Sequence, residues 1–310
     1  MLVPLDASEL SVASFPYAKE LAARLGLDVL LFHVCPPGER KSVSMQQAEI
    51  ERKAEIVKRQ SEEVQERIGI EPGGKEVQVR GEIAVGSPAE EILRCADENN
   101  IDLILMATHS RSGIKRWVVG SVTDKVLRTS NAPIWLVRPG APEEVVYDKW
   151  PGRTILVPLD GSELAKAVLP HVEALAKQRG TESVDVVLLR VYEHPTPPPY
   201  SEYAPVAELE EYIRLESARR KQEAGEYLAE IEKRLKDAGL AVRAEVLVGE
   251  PAEQIIDYAG ANPANLIVMS THARSGLGRL AHGSIASKVL QQASSPVVLV
   301  RGHQSDLKQD

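Results

Sequence analysis

Ile104-Leu-Met-Ala-Thr-His-Ser-Arg-Ser-Gly-Ile-Lys-Arg-Trp-Val-Val-Gly-Ser121 reads as an apolar strand, a basic loop of small residues, and a Gly-Ser pair that opens a helix. The chain writes it a second time, Ile267-Val-Met-Ser-Thr-His-Ala-Arg-Ser-Gly-Leu-Gly-Arg-Leu-Ala-His-Gly-Ser284, with Thr271 where Thr108 stood. A loop leaving a strand and ending at a helix N-terminus presents backbone N–H groups and the positive end of the helix dipole. That arrangement suits an anion such as phosphate.

The segments on either side of this stretch are also paired. Leu2 to Asp6 and Ile155 to Asp160 are short apolar runs ending in Val-Pro-Leu-Asp, too short for helices and read as strands. Ser8 and Ser162 are placed to cap the helices that follow. Val29 to Val34 and Val186 to Val191 are continuous apolar runs, as strands covered on both faces require. Long charged helices are predicted from Val43 to Ile68 and from Val206 to Ala238, their charges forming solvated faces. Strands at Val77 to Val85 and Val242 to Val248 lead to Gly-Ser-Pro-Ala-Glu and Gly-Glu-Pro-Ala-Glu, where Pro at a first helical position and acids in the first turn signal helix starts. The fourth strands, Leu103 to Ala107 and Leu266 to Ser270, enter the quoted loop. Pro133 to Val137 and Pro296 to Val300 make the fifth.

Strands alternating with helices imply two doubly wound five-stranded parallel-sheet units with right-handed crossovers, expected strand order 3-2-1-4-5. The domains are read as residues 1–139 and 153–303, with an aperiodic Pro- and Gly-bearing linker at 140–152 and a polar tail at 304–310. In such a sheet ligands bind beyond the carboxyl ends of the strands, where the strand order reverses. The crevice is then bounded by Asp6 or Asp160 on one side and the Thr-His loop on the other.

Composition narrows the function. A formal net charge of -8, from 37 Lys plus Arg against 45 Asp plus Glu, supplies no basic field for nucleic acid or anionic lipid. The two cysteines, Cys35 and Cys95, lack metal-ligand spacing and read as small buried hydrophobes in a reducing compartment. The sequence begins without a basic region followed by an apolar run, and no stretch approaches the roughly 18 apolar residues of a membrane span. A cytoplasmic protein is expected.

These residues resemble the universal stress proteins in their tandem two-domain form. Val-Pro-Leu-Asp, the Gly-[Ser/Glu]-Pro-Ala-Glu segment, Thr-His-x-Arg-Ser-Gly and the closing Gly-Ser recur in the same order in both halves. The resemblance implies an adenine nucleotide alpha hydrolase-like fold. The family's nucleotide-binding members carry Gly, two residues, Gly, nine residues, then Gly-Ser or Gly-Thr. Here those positions are Ala107, Ser110, Gly120 and Ser121, and again Ser270, Ala273, Gly283 and Ser284. Small side chains thus stand where the family has its two leading glycines.

By that resemblance Asp6 and Asp160 contact the base or ribose, the Val34 and Val191 backbones meet the adenine edge, and the Gly-Ser pairs take the phosphates. The implied ligand is ATP or another adenine nucleotide, with Mg²⁺. It acts as a regulatory ligand in a cytoplasmic stress response, biasing association with a protein partner. The resemblance also implies that the two units pair through the fifth strands, which are exposed edges otherwise, and that chains associate into homodimers.

Each position has a plainer reading. Ser121 and Ser284 serve as helix caps, and Asp6 and Asp160 close the turn after the first strand. Arg111, Lys115, Arg116, Arg274 and Arg279 are solvated loop charges, or phosphate partners. His109 and His272 lack a nucleophile with an orienting acid, so a structural hydrogen bond is expected of them. Trp117 reads as core or interface. Two rival functions follow: a nucleotide-free dimerising interaction module, supported by the missing glycines, and a slow ATPase or nucleotidyl transferase, for which the loop offers no metal-binding acid pair or general base.

Overall fold

The computed structural model describes residues 1–6, 13–38, 43–70, 76–108, 120–137, 153–177, 184–198, 205–262, 264–272 and 283–302. In the first unit these form Leu2–Leu5 (β1), Phe15–Leu25 (α1), Val29–Cys35 (β2), Val43–Arg67 (α2), Val79–Val85 (β3), Pro88–Glu98 (α3), Ile104–Ala107 (β4), Ser121–Thr129 (α4) and Ile134–Val137 (β5). The second unit has Thr154–Pro158 (β6), a 3-10 turn at Glu163–Val168, Leu169–Ala176 (α5), Asp185–Tyr192 (β7), Val206–Asp237 (α6), Ala241–Val248 (β8), Pro251–Ala261 (α7), Leu266–His272 (β9), Ser284–Gln292 (α8) and Val297–Gly302 (β10). The linker expected at 140–152 lies outside the described residues.

Local chemistry sets most of the boundaries. α3 and α7 open on Pro88 and Pro251, whose missing N–H costs nothing in a first turn, with Glu90, Glu91 and Glu253 beside the positive helix end. α1 stops at Gly26, which adopts φ 66° and donates its N–H to Ala22 O. Ser162 caps as expected, accepting from the Ala165 N–H, but the turn it starts is a 3-10 helix. Pro170 lies in the first turn of α5; with no N–H to donate, it separates that turn from the α-helix behind it. Ser8 falls outside the described residues, and α1 instead opens at Phe15 with no side-chain capping bond from Ser14.

Among the described residues the strands make one ten-stranded sheet, β3-β2-β1-β4-β5-β10-β9-β6-β7-β8. Each half is parallel in the order 3-2-1-4-5. Between the halves β5 and β10 run antiparallel, pairing Leu136 with Val297, Trp135 with Val298 and Ile134 with Leu299. Each unit therefore covers the apolar edge of the other.

Strand alternation divides the core between the two faces. Val3, Val29, Leu31, Trp135, Val157, Leu188 and Val298 pack beneath α1, α2, α5 and α6. Leu30, Phe32, Met106, Leu136, Leu189, Met269 and Leu299 pack beneath α3, α4, α7 and α8. At the seam Tyr17 of α1 tilts against Trp135, ring centroids 6.2 Å apart.

Two features were not visible in the sequence. Glu20 and Arg24, one turn apart on α1, are both fully buried and paired at 2.9 Å, and Glu20 also accepts from Arg67 at 2.5 Å. α6 packs only its C-terminal half, through Ala224, Leu228, Ile231 and Leu235. Its charges pair along the exposed surface, as in Arg219 with Glu216 and Glu223. Among the described residues no helix is long and apolar enough to cross a membrane.

Candidate functional site

In the second unit a cleft of about 470 Å³ opens beyond the carboxyl ends of β6 and β9, where the strand order reverses. β6 ends in Pro158, and the chain turns through Leu159 and Asp160. Val191 and Leu189 come from one face of β7, Met269 and Ser270 from β9, and Gly283 to Ala286 from the start of α8. Pro251 and Ile255 of α7 close the side. The volume falls within the roughly 300–1,000 Å³ of small-molecule sites. Its walls are mainly apolar, and the polar residues among them are Asp160, Ser270 and Ser284.

Asp160 follows β6 at the cleft. Its Oδ1 accepts from the Ser162 N–H at 2.8 Å and from the Ser162 hydroxyl at 2.6 Å. The plainer reading of this aspartate, as the residue closing the turn, is therefore realised. Gly161 makes the turn possible at φ 90°, a conformation that side chains disfavour. Beneath it Tyr227 reaches the Ser162 carbonyl at 3.4 Å, and the Arg190 guanidinium lies over the Tyr227 ring. Burial first, then the nearby charges of Asp160 and Glu163, push the Tyr227 hydroxyl up to about 12.

The N-terminus of α8 also lines the cleft. Ser284 is its first residue and is exposed, while Gly283 holds the cap position at φ 76°, ψ 150° and supplies no capping side chain. The expectation that Ser284 caps this helix is corrected: a side chain within the first turn lies past the position from which it could fold back to the N–H groups, so the cap falls to the glycine before it. α4 repeats the arrangement, with Gly120 as cap and Ser121 as first residue, so the cap assigned to Ser121 is corrected in the same way. Gly120, however, lies at φ -64°. The first-turn N–H groups receive no acceptor from either glycine and can serve an anion.

Another expectation changes at the strand before this helix. Thr271 and His272 were read as loop, but β9 continues through both, paired in register with Arg301 and Gly302 of β10. The ladder extends because β10 itself runs two residues past Val300. In the first unit β4 ends at Ala107, and Thr108 is buried with its N–H on Val137 O at 2.9 Å.

The structure thus gathers Asp160, Val191, Ser270, Gly283 and Ser284 around one cleft. Asp6, Val34, Ala107, Gly120 and Ser121 hold the equivalent positions of the first unit, at the ends of β1, β2 and β4 and the start of α4. Ser110, Ala273, His109, Arg111, Lys115, Arg116, Trp117, Arg274 and Arg279 lie outside the described residues. Sequence reading missed Leu189, Ile255, Met269 and Ala286. The strand period carried the signal for Leu189, two residues before Val191 and on the same face. No group of three or more His, Cys, Asp or Glu side chains able to hold a metal occurs among the described residues.

A family model described as the Universal stress protein family matches residues 1–138 and again 152–301. Universal stress protein MJ0531 of Methanocaldococcus jannaschii is 29% identical over 149 residues, covering 48% of this chain and 82% of that protein. Universal stress protein Rv2005c of Mycobacterium tuberculosis is 23% identical over 231 residues, spanning 73% of this chain and 70% of its own length. A crystal structure of a universal stress protein from Archaeoglobus fulgidus superposes with a TM-score of 0.66 at 20% identity, covering 97% of both chains; at that identity it shows a shared fold. With one family model accounting for both halves, and the repeat built into one sheet, the chain belongs to the universal stress protein family as a tandem two-domain member.

Proposed function

We propose that this chain binds ATP or a related adenine nucleotide as a regulatory ligand in a cytoplasmic stress response. The observation that carries the reading is the polarity of the second-unit cleft. A carboxylate turn at Asp160 and a helix N-terminus at Gly283-Ser284 both line one largely apolar cavity. A nucleoside has an apolar base and hydroxyls that a carboxylate accepts from. Its phosphates need N–H donors and a positive dipole. Mg²⁺ fits this scheme as a companion of the phosphates, which normally supply most of its protein-side anchoring. Binding regulates only if the nucleotide prefers one of two conformations, and a protein partner that reads that conformation completes the scheme.

The test is to denature freshly purified protein and identify any released nucleotide by chromatography and mass spectrometry, then to titrate ATP with Mg²⁺ calorimetrically. Adenine nucleotide in stoichiometric amount, or saturable heat lost in Asp160→Ala, is the expected result. No released nucleotide and no heat at millimolar ATP would overturn the reading.

A second reading, a nucleotide-free interaction module, draws on Ala107 and Ser270. Each ends or lines the cleft where the family's binding members have glycine, and a Cβ there holds a phosphate farther from the backbone. Association with a partner that is unaffected by ATP is its signature.

A further inference from the structure

The two units share one frame but carry different side chains at matched positions. Strand register fixes the correspondence: Pro4 pairs with Phe32 as Pro158 pairs with Leu189. Phe32 is therefore the first-unit counterpart of Leu189, a residue that lines the second-unit cleft. α4 and α8 begin at Ser121 and Ser284, so Thr123 is the counterpart of Ala286, which also lines it. All four side chains are buried, so the difference between the units is one of size at matched positions. A benzyl group replaces isobutyl on one wall, and a branched hydroxyl-bearing side chain replaces methyl on the other.

Backbone differences run the same way. Gly283 turns into α8 through φ 76°, available essentially to glycine, whereas Gly120 enters α4 through an ordinary extended conformation. The chain thus enters the two helices through different backbone conformations.

We infer that the chain takes one nucleotide, in the second unit, and that Leu189 and Ala286 are the residues that make room for it. Phe32 and Thr123 occupy the corresponding space in the first unit, which serves as the structural partner across the β5–β10 seam. The inference rests on the nucleotide reading above and adds to it the occupancy of the two sites. A close-packed interior does not yield to an added ring or methyl without displacing something.

The experiment is calorimetric titration of ATP with Mg²⁺ into three forms of the full chain: wild type, Leu189→Phe with Ala286→Thr, and Phe32→Leu with Thr123→Ala. The wild type is expected to bind one equivalent. The first double variant should weaken that event about tenfold or more, the scale on which single carbon groups discriminate in apolar pockets. The second should add a further binding event, a gain that misfolding cannot produce. Two equal sites in wild type, or one site whose affinity is unchanged in Leu189→Phe with Ala286→Thr, overturns the inference while leaving nucleotide binding intact. Absence of binding in all three forms overturns the nucleotide reading and this inference with it.

Discussion

The Arg190 guanidinium lies 5.0 Å from the centre of the Tyr227 ring and fills the space that a side chain on Gly161 would enter. A Cβ there would come within 2.6 Å of Arg190 Nη2. The turn that carries Asp160 thus sits on a cation stacked on an aromatic ring.

Gly161→Ala is expected to destabilise the chain by about 1–3 kcal/mol, the usual cost of forcing a side chain into such a backbone conformation. The end of Arg190 can swing aside, so the strain at φ 90° should dominate. Adding Arg190→Ala should therefore fail to restore stability in urea unfolding. Full recovery would assign the cost to the side-chain clash instead.

Gly283 and Gly120 hold the same cap position with opposite signs of φ. Among the described residues nothing lies within 4 Å of the Cβ position at Gly283, so the expected loss in Gly283→Ala is backbone strain, about 1 kcal/mol or more. Gly120→Ala pays only the modest loss of a favourable cap residue. Denaturant midpoints of the two variants, compared at equal m-values, check the difference.

Arg24→Met should cost about 3–5 kcal/mol, because it leaves the buried Glu20 carboxylate with only the half-exposed Arg67 beside it among the described residues. Replacing both, Glu20→Met with Arg24→Met, should cost less than that single change, since no unpaired charge remains in the core. Arg67 is half-exposed and can return to water. A double-mutant cycle by chemical unfolding measures the coupling.

How far the sequence foretells such features depends on whether a residue's neighbours in space are also neighbours in pattern. The strand order and the crevice were legible because the Val-Pro-Leu-Asp and Gly-Ser segments recur in order, and a parallel sheet with right-handed crossovers leaves few other arrangements. The edges at Ile134 and Val297 were read as needing cover, and the antiparallel pairing supplies it. The Glu20–Arg24 pair was not legible, since an i, i+4 acid and base ordinarily mark a solvated face. Nor was the extension of β9 through His272, which depends on how far a distant strand, β10, happens to run. Ser121 and Ser284 read as caps because Ser is a preferred cap residue and a Gly-Ser pair at a helix start does not show which of the two is the cap. Only the dihedrals distinguish the last loop residue from the first helical one. Leu189 and Ala286 escaped notice because apolar lining residues look like ordinary core.

Burial holds the Cys95 thiol up at about 11 against an ordinary 9.0, and the Tyr17 and Tyr227 hydroxyls at about 12 against 10.0. Acids whose folded pKa is raised favour the native state fully below their unfolded pKa, and that contribution is lost as pH rises through the folded value. Stability should therefore hold to about pH 9 and decline from there toward pH 12. In a spectrophotometric titration Tyr17 and Tyr227 should ionise late, and should return to the ordinary tyrosine range once the chain is unfolded.

Trp135 and Val298 occupy equivalent places in the two halves, each two residues beyond a proline, Pro133 and Pro296, and they face one another across the antiparallel ladder. If the first half were to pair with its own duplicate in this register, indole would be set against indole; the second half with its duplicate would leave valine against valine and a void. The mixed pair alone sets a large side chain opposite a small one. Tethering has turned a self-matching edge into a lock and its key, so that the halves are no longer interchangeable, and each is free to change only as far as the other accommodates.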